Sequence, residues 1–193
     1  MKTKHIVLPL FILLLFSCAG SKNISLEEPN WKIISGNWTL DEYTYIGNGK
    51  SLEWATLTSL EKLPKNYSIE LDVNMLNGSL FELMLNLNQD EYLRAYLYTI
   101  ENALKIGRGE FDETNTERPG GGSTFIEKPI EIQNNTWYNL KVKLYKDNLS
   151  IFIDDVLIID KQIAKYKLNK PGYLGLITNG KTIVKNLAIK KLS

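Results

Sequence analysis

Three stretches of this chain alternate apolar and polar side chains with a period of two, and that alternation leaves few folds open. In residues 67–75 (YSIELDVNM), Ile69, Leu71, Val73 and Met75 fall on one side; Glu70, Asp72 and Asn74 fall on the other. In residues 80–87 (LFELMLNL), Phe81, Leu83, Leu85 and Leu87 oppose Glu82, Met84 and Asn86. In residues 92–98 (YLRAYLY), Leu93, Ala95 and Leu97 oppose Tyr92, Arg94, Tyr96 and Tyr98. A helix would bring residues three and four apart together, whereas a strand sends neighbours to opposite faces. Each stretch therefore predicts a strand with an aliphatic side on a core.

Turn signals separate these strands from many others. Residues 88–91 (NQDE) predict a hairpin loop. Asp147-Asn148, Asp154-Asp155 and Asn179-Gly180 predict tight turns, because Asn, Asp and Gly tolerate the left-handed backbone such turns need. Gly36-Asn37 and residues 47–49 (GNG) mark turns near the start of the domain. No segment predicts a helix longer than two turns; residues 59–66 (SLEKLPKN) offer one turn, stopped by Pro64. Residues 111–125 make one long irregular stretch, with three glycines at 120–122 expected in a mobile rim loop. About a dozen short strands between turn signals predict an all-β fold, an antiparallel two-sheet jelly-roll sandwich.

The first residues (MKTKHIVLPLFILLLFSCAG) read as a basic start, an apolar run and a processing site. The run is shorter than the about 20 residues a membrane span needs. Leu15-Phe16-Ser17-Cys18 resembles a bacterial lipobox, which implies cleavage before Cys18 and lipid on that residue. The expected organisation is a signal peptide over 1–17, a lipidated Cys18 with a polar tether over 18–30, and a domain over 31–193. Ala19 after Cys18 lacks the acidic signal of inner-membrane retention, so the expected address is the cell envelope, with the outer membrane favoured.

His5 is the single histidine and Cys18 the single cysteine. Processing would remove the first and acylate the second. The domain then lacks the residues for Ser-His-Asp or Cys-His catalysis, histidine-bound zinc and disulfides. A net charge of +1, with both signs scattered, gives no basic stripe for nucleic acid.

Three longer patterns resemble one superfamily. Residues 31–49 (WKIISGNWTLDEYTYIGNG) resemble the opening of concanavalin A-like, or laminin-G-like, jelly rolls of the lectin and glucanase type. Residues 137–160 (WYNLKVKLYKDNLSIFIDDVLIID) resemble their central hairpins, with Asp155 in place of the usual turn glycine. Residues 171–192 (PGYLGLITNGKTIVKNLAIKKL) resemble their terminal pattern, with Val184-Lys185-Asn186-Leu187 at the closing motif. Within that superfamily the chain looks most like secreted bacterial domains of the 3-keto-disaccharide hydrolase or family 16 glycoside hydrolase type. That resemblance implies either sugar binding or sugar cleavage.

The polar face of residues 92–98 is the main candidate site. Tyr92, Arg94, Tyr96 and Tyr98 form an aromatic row with one guanidinium, and Glu82 and Asn86 are expected beside it on the concave sheet. Tyrosine rings stack on sugar C–H faces, and Arg donates to hydroxyl or carboxylate oxygens. Trp54 is expected at the same groove or in the core; Trp31, Trp38 and Trp137 are assigned to core and sheet edges. The expected partner is a carbohydrate or related polyol, held by a membrane-anchored extracytoplasmic module.

Two alternatives stand beside it. One is a glycoside or 3-keto-glycoside hydrolase using Glu70, Asp72 and Glu82, with Glu70 and Asp72 also expected beside the tyrosine row. Here IELDV matches two places of a glucanase motif, but Asn74 or Met75 stands where the acid belongs. Retaining hydrolysis requires two carboxyls about 5–5.5 Å apart. The other is a protein-interaction module of the envelope. No cofactor is expected; calcium on the turn residues Asp147, Asn148, Asp154 and Asp155 is a minor option.

Overall fold

The computed structural model describes residues 30–41, 43–115 and 117–193. The expected signal peptide, Cys18 and all but the last residue of the tether lie outside the described residues. In chain order the first strands are β1 (Trp31–Ser35), β2 (Asn37–Asp41), β3 (Thr44–Asn48), β4 (Ala55–Lys62) and β5 (Tyr67–Met75). Next come β6 (Leu80–Asn88), β7 (Glu91–Tyr98), β8 (Ala103–Phe111), β9 (Gly120–Pro129) and β10 (Trp137–Tyr145). The chain ends with β11 (Asn148–Ile153), β12 (Val156–Gln162), β13 (Tyr173–Thr178) and β14 (Lys181–Lys191). A three-residue 3-10 turn spans Ala164–Tyr166.

The strands form two antiparallel seven-stranded sheets. A front sheet runs β1-β4-β13-β6-β7-β8-β9, and a back sheet runs β12-β11-β10-β5-β14-β3-β2. This is the jelly-roll sandwich that alternation predicts. The aliphatic sides meet between the sheets. Ile69, Leu71 and Val73 of β5 pack in one cluster with Leu83 and Leu85 of β6, Leu93 and Leu97 of β7, and Val142 and Leu144 of β10. Full burial of each such side chain is worth about 1.5–3 kcal/mol, so this cluster supplies the main driving force. Trp31 and Trp38 meet Tyr45 edge-on, with ring centres 5.6 and 6.4 Å apart, and seal one part of the core.

Gly36 sits where the chain leaves the front sheet (β1) for the back sheet (β2). Its φ of +65° suits glycine, and a Cβ there would lie 2.6 Å from the Ala55 Cα. The acidic turns behave as turns. Asp154 and Asp155 both have positive φ between β11 and β12; in the preceding hairpin the left-handed pair is Lys146-Asp147, with Asn148 already in β11.

Three local expectations are corrected. Residues 59–62 belong to β4 rather than to a helical turn, because they pair with β1 and β13. Gly120, Gly121 and Gly122 begin β9, paired with Phe111, Glu110 and Gly109 of β8. Leu87 leaves the core side of β6. The register slips between Leu85 and Asn88, Asn86 takes a φ of 57°, and Leu87 joins a cluster on the outer face.

Candidate functional site on the front sheet

The outer face of the front sheet is built by the polar sides of β6 and β7. Glu82 faces Tyr96 in register, and Met84 faces Arg94. On the other flank, β8 sets Gly109 against Tyr92 and Gly107 against Arg94. These two glycines make room. A Cβ at Gly109 would lie 2.1 Å from the Tyr92 ring, and one at Gly107 would meet the Arg94 Cδ at 3.1 Å. The Tyr92 ring and the aliphatic stem of Arg94 therefore pack over β8. The G-x-G of residues 107–109, at the period of a strand, was a signal that sequence reading passed over.

At the centre is an ion pair. Arg94 donates from Nε to the Glu82 Oε1 at 3.1 Å and from Nη2 to Oε2 at 2.5 Å. The Tyr92 hydroxyl donates to the Glu82 Oε1 at 2.7 Å. The guanidinium lies on the Tyr96 ring, 4.2 Å from its centroid. Glu82 is fully buried, Tyr92 is 1% exposed and Arg94 6%. Burial pushes the Glu82 carboxyl up, and Arg94, Tyr92 and Arg118 offset part of that push. Burial and the neighbouring carboxylate likewise hold the Tyr92 hydroxyl well above its ordinary value.

The surroundings are aromatic and apolar. Trp54, Leu80, Met84, Leu87, Tyr92, Tyr96 and Ile177 form a second buried cluster, with Tyr98, Phe111 and Tyr173 at its margin. Tyr98 packs edge-on against Tyr96, and Lys105 lies over the Tyr98 ring. The Lys105 ammonium pairs with Glu101 and with Glu127. The Tyr96 hydroxyl shares a 2.6 Å hydrogen bond with Thr124 on β9.

A wall stands at the Tyr92 end. Asp112 accepts hydrogen bonds from the Thr114 backbone and hydroxyl, and Asn115 accepts one from the Arg118 backbone. The Asp112 N–H reaches the Pro119 carbonyl, and the Trp54 N–H reaches Glu117. This stapled segment lays the Arg118 guanidinium on the Trp54 ring at 4.9 Å. Beside it opens a cleft of about 470 Å³ lined by Glu91, Glu110, Phe111, Asp112, Arg118 and Gly121, among others. Its size is in the range of small-molecule sites.

The predicted residues are thus partly gathered. Tyr92, Arg94, Tyr96, Tyr98, Glu82 and Trp54 do share one face. They form a nearly closed floor rather than the open row that alternation suggests, because the gap at Gly109 seats the Tyr92 ring and Arg118 covers Trp54. Asn86 stands apart: its amide reaches the Leu168 carbonyl and Asn169, both at 3.4 Å. Glu70 and Asp72 are not beside the row. They lie on β5 in the back sheet, turned outward, so the whole core separates them from Glu82. Glu70 pairs with Lys141 at 2.9 Å, and Asp72 accepts from Asn139 and Asn186. Two alternating strands look alike in sequence, yet they were sorted to opposite sheets. Arg118 was noticed only as part of an irregular stretch; no local pattern announces its place over Trp54.

The turn acids do not converge on a cation. Asp147 accepts from Asn169, Asp154 from the Asn139 backbone, and Asp155 stands 3.8 Å from Lys141. Among the described residues no three His, Cys, Asp or Glu side chains gather at metal-binding spacing.

Comparison with known proteins places the fold. No family model matches the chain, and no curated protein matches it by sequence. Solved structures do match. The carbohydrate-binding module CBM66 from Bacillus subtilis superposes with a TM-score of 0.68 at 19% identity, over 84% of this chain and 96% of that one. A Bacillus subtilis protein of unknown function with a galectin-like fold gives 0.66 at 11% identity, over 88% and 94%. A putative glycosyl hydrolase from Parabacteroides distasonis gives 0.56 at 13% identity, over 86% and 89%. The fold is the concanavalin A-like jelly roll.

Proposed function

We propose that this chain is a carbohydrate-binding module, carried on the outer membrane of a bacterial envelope by lipid on Cys18. It takes a saccharide or related polyol on the outer face of the front sheet. The observation that carries this reading is Arg94, clamped by the buried Glu82 and set over the Tyr96 ring. A buried ion pair contributes little net stability once desolvation is counted, so such rigid placement fits recognition better than folding. The cleft beside this centre is lined by Arg118, which can donate to hydroxyl or carboxylate oxygens, and by Glu91, Glu110 and Asp112, which can accept from hydroxyls. Tyr98, partly buried at the margin of the cluster, offers ring surface to the C–H face of a sugar. The likeness to CBM66 supports the ligand class, and the apolar leader ending at Cys18 supports the anchor.

Binding is favoured over hydrolysis by the placement of the acids. Of the three carboxylates in the hydrolase expectation, only Glu82 reaches the Arg94 centre, and the two-carboxylate route needs a second nearby. Calorimetry against a panel of soluble oligosaccharides tests the reading. At least one is expected to bind the wild type and to bind Arg94→Lys at least tenfold more weakly. Equal affinity in the two proteins, or no binding across the panel, overturns it. For the anchor, metabolic labelling with an alkyne fatty acid is expected to mark the wild type and not Cys18→Ser; labelling of both rules the lipid site out.

A further inference from the structure

The back sheet carries a second feature that the front-face reading does not use. Trp137, expected in core or sheet edge, is 43% exposed on the outer face of β10, an interior strand. The cause is parity: Tyr138, Leu140, Val142 and Leu144 turn inward, so Trp137 and Asn139 must turn outward. Asn135, with a φ of 63°, donates its N–H to the Met75 carbonyl and so fixes the entry to the strand.

Neighbouring strands complete a polar site around this ring. In register, Trp137 faces Asn74 and Asn139 faces Asp72 on β5, while Lys185 of β14 faces Asp72 from the other side. Asp72 accepts from the Asn139 amide at 2.9 Å and from the Asn186 amide at 2.6 Å. Asn186 takes a φ of 54° in the bulge after Lys185, which explains the asparagine in the closing motif. The Lys185 ammonium lies 5.2 Å from the Trp137 ring centre. A pocket of about 430 Å³ is lined by Asp72, Trp137, Tyr138, Asn139, Asp154 and Lys185. Next to it, Asn74 is 7% exposed, and its Oδ1 is buried with no hydrogen-bond partner among the described residues.

We infer that this pocket is a second saccharide site, on the face opposite Arg94. The indole supplies a stacking surface for a sugar ring. Asp72 and Asp154 accept from its hydroxyls, and Lys185 donates to them. An exposed tryptophan beside an oriented carboxylate and an ammonium is the mixture of platform and hydrogen-bonding groups that a small polyhydroxylated ligand requires. The orientation is built in, because two amides from different strands hold Asp72. With one site on each sheet, the module would bridge two chains of a polysaccharide, or two stretches of one, and gain avidity from the pairing. The inference does not depend on the front-face reading.

Fluorotryptophan labelling separates the two. The chain has four tryptophans, and each gives one fluorine resonance. Trp137→Phe and Trp54→Phe assign the signals of the back and front faces. The purified protein is titrated with soluble tetrasaccharides of glucose, xylose, mannose, galactose and fructose. The Trp137 resonance is expected to move saturably with at least one of them and to move equally in Arg94→Lys. In Asp72→Asn the midpoint is expected to rise at least fivefold. A Trp137 signal that stays still, drifts without saturation, or responds identically in Asp72→Asn overturns the second site. If Trp54 moves while Trp137 does not, the front-face reading survives and this one fails. If neither moves, both fail.

Discussion

The guanidinium carbon of Arg94 lies 4.2 Å from the centre of the Tyr96 ring, while Nε and Nη2 of the same group face Glu82. One planar cation is held by a ring on its face and a carboxylate on its edge. The two-point contact to Glu82 requires a flat, forked group, and lysine offers only a point charge. Arg94→Lys should therefore keep the charge and the fold while weakening saccharide binding at least tenfold, or about 1.4 kcal/mol. Arg94→Ala should behave differently. It leaves Glu82 buried without its partner and should cost about 3–5 kcal/mol of stability. Calorimetry reads the first effect and urea denaturation the second.

Acid should act on the protein through Glu82. Burial raises its carboxyl above the ordinary 4.5, and the neighbouring Arg94, Tyr92 and Arg118 only reduce that rise. A group whose folded-state value is raised binds its proton more readily in the native protein. Its stabilising contribution is complete below the unfolded-state value and is lost as pH rises through the folded-state value. The stability of the wild type minus that of Glu82→Gln should thus fall as pH rises above the ordinary carboxylate range. Paired urea titrations across that window check the sign. A difference that grows with pH would mean that the Arg94 pairing outweighs burial.

Gly109 is predicted to be intolerant of even one methyl group. An added Cβ would lie 2.1 Å from the Tyr92 ring, in a position where that ring is buried against β8. Gly109→Ala should lose about 1–3 kcal/mol, the usual cost of overpacking. Combining it with Tyr92→Ala removes the clash, so the two changes together should cost less than their sum. A double-mutant cycle in urea measures the difference.

Tyr67 makes the opposite case. Its ring fills the core, and its hydroxyl is buried with no hydrogen-bond partner among the described residues. Desolvation drives that hydroxyl far above its ordinary value of 10.0. Tyr67→Phe keeps the ring and removes the unpaired group, so stability should rise by about 1–3 kcal/mol. A higher urea midpoint with an unchanged slope is the expected result.

The sequence by itself determined the strands, most of their turns and the side of each strand that meets the core. Those properties follow from backbone geometry over a few residues: a period of two, and the few residue types that accept a left-handed φ. Ile69, Leu71, Val73, Leu83, Leu85, Leu93 and Leu97 were legible for that reason, as was the common face of Glu82, Arg94 and Tyr96. Leu87 was not, because the slip at Asn86 reverses the parity. Only the tertiary structure decided what each polar face would meet. β5 lies between β10 and β14, while β6 lies between β13 and β7. The pairings with β10, β13 and β14 join residues far apart in the chain, and alternation carries no information about them. They put Glu70 and Asp72 with Lys141, Asn139 and Lys185 on one side of the sandwich. They leave the face that the local β6–β7 hairpin gives Glu82, Arg94 and Tyr92 on the other, where a loop brings Arg118 near. The physical reason is range: a strand's two faces are set by its own backbone, but the neighbours of each face are set by which distant strands bury the most apolar surface together.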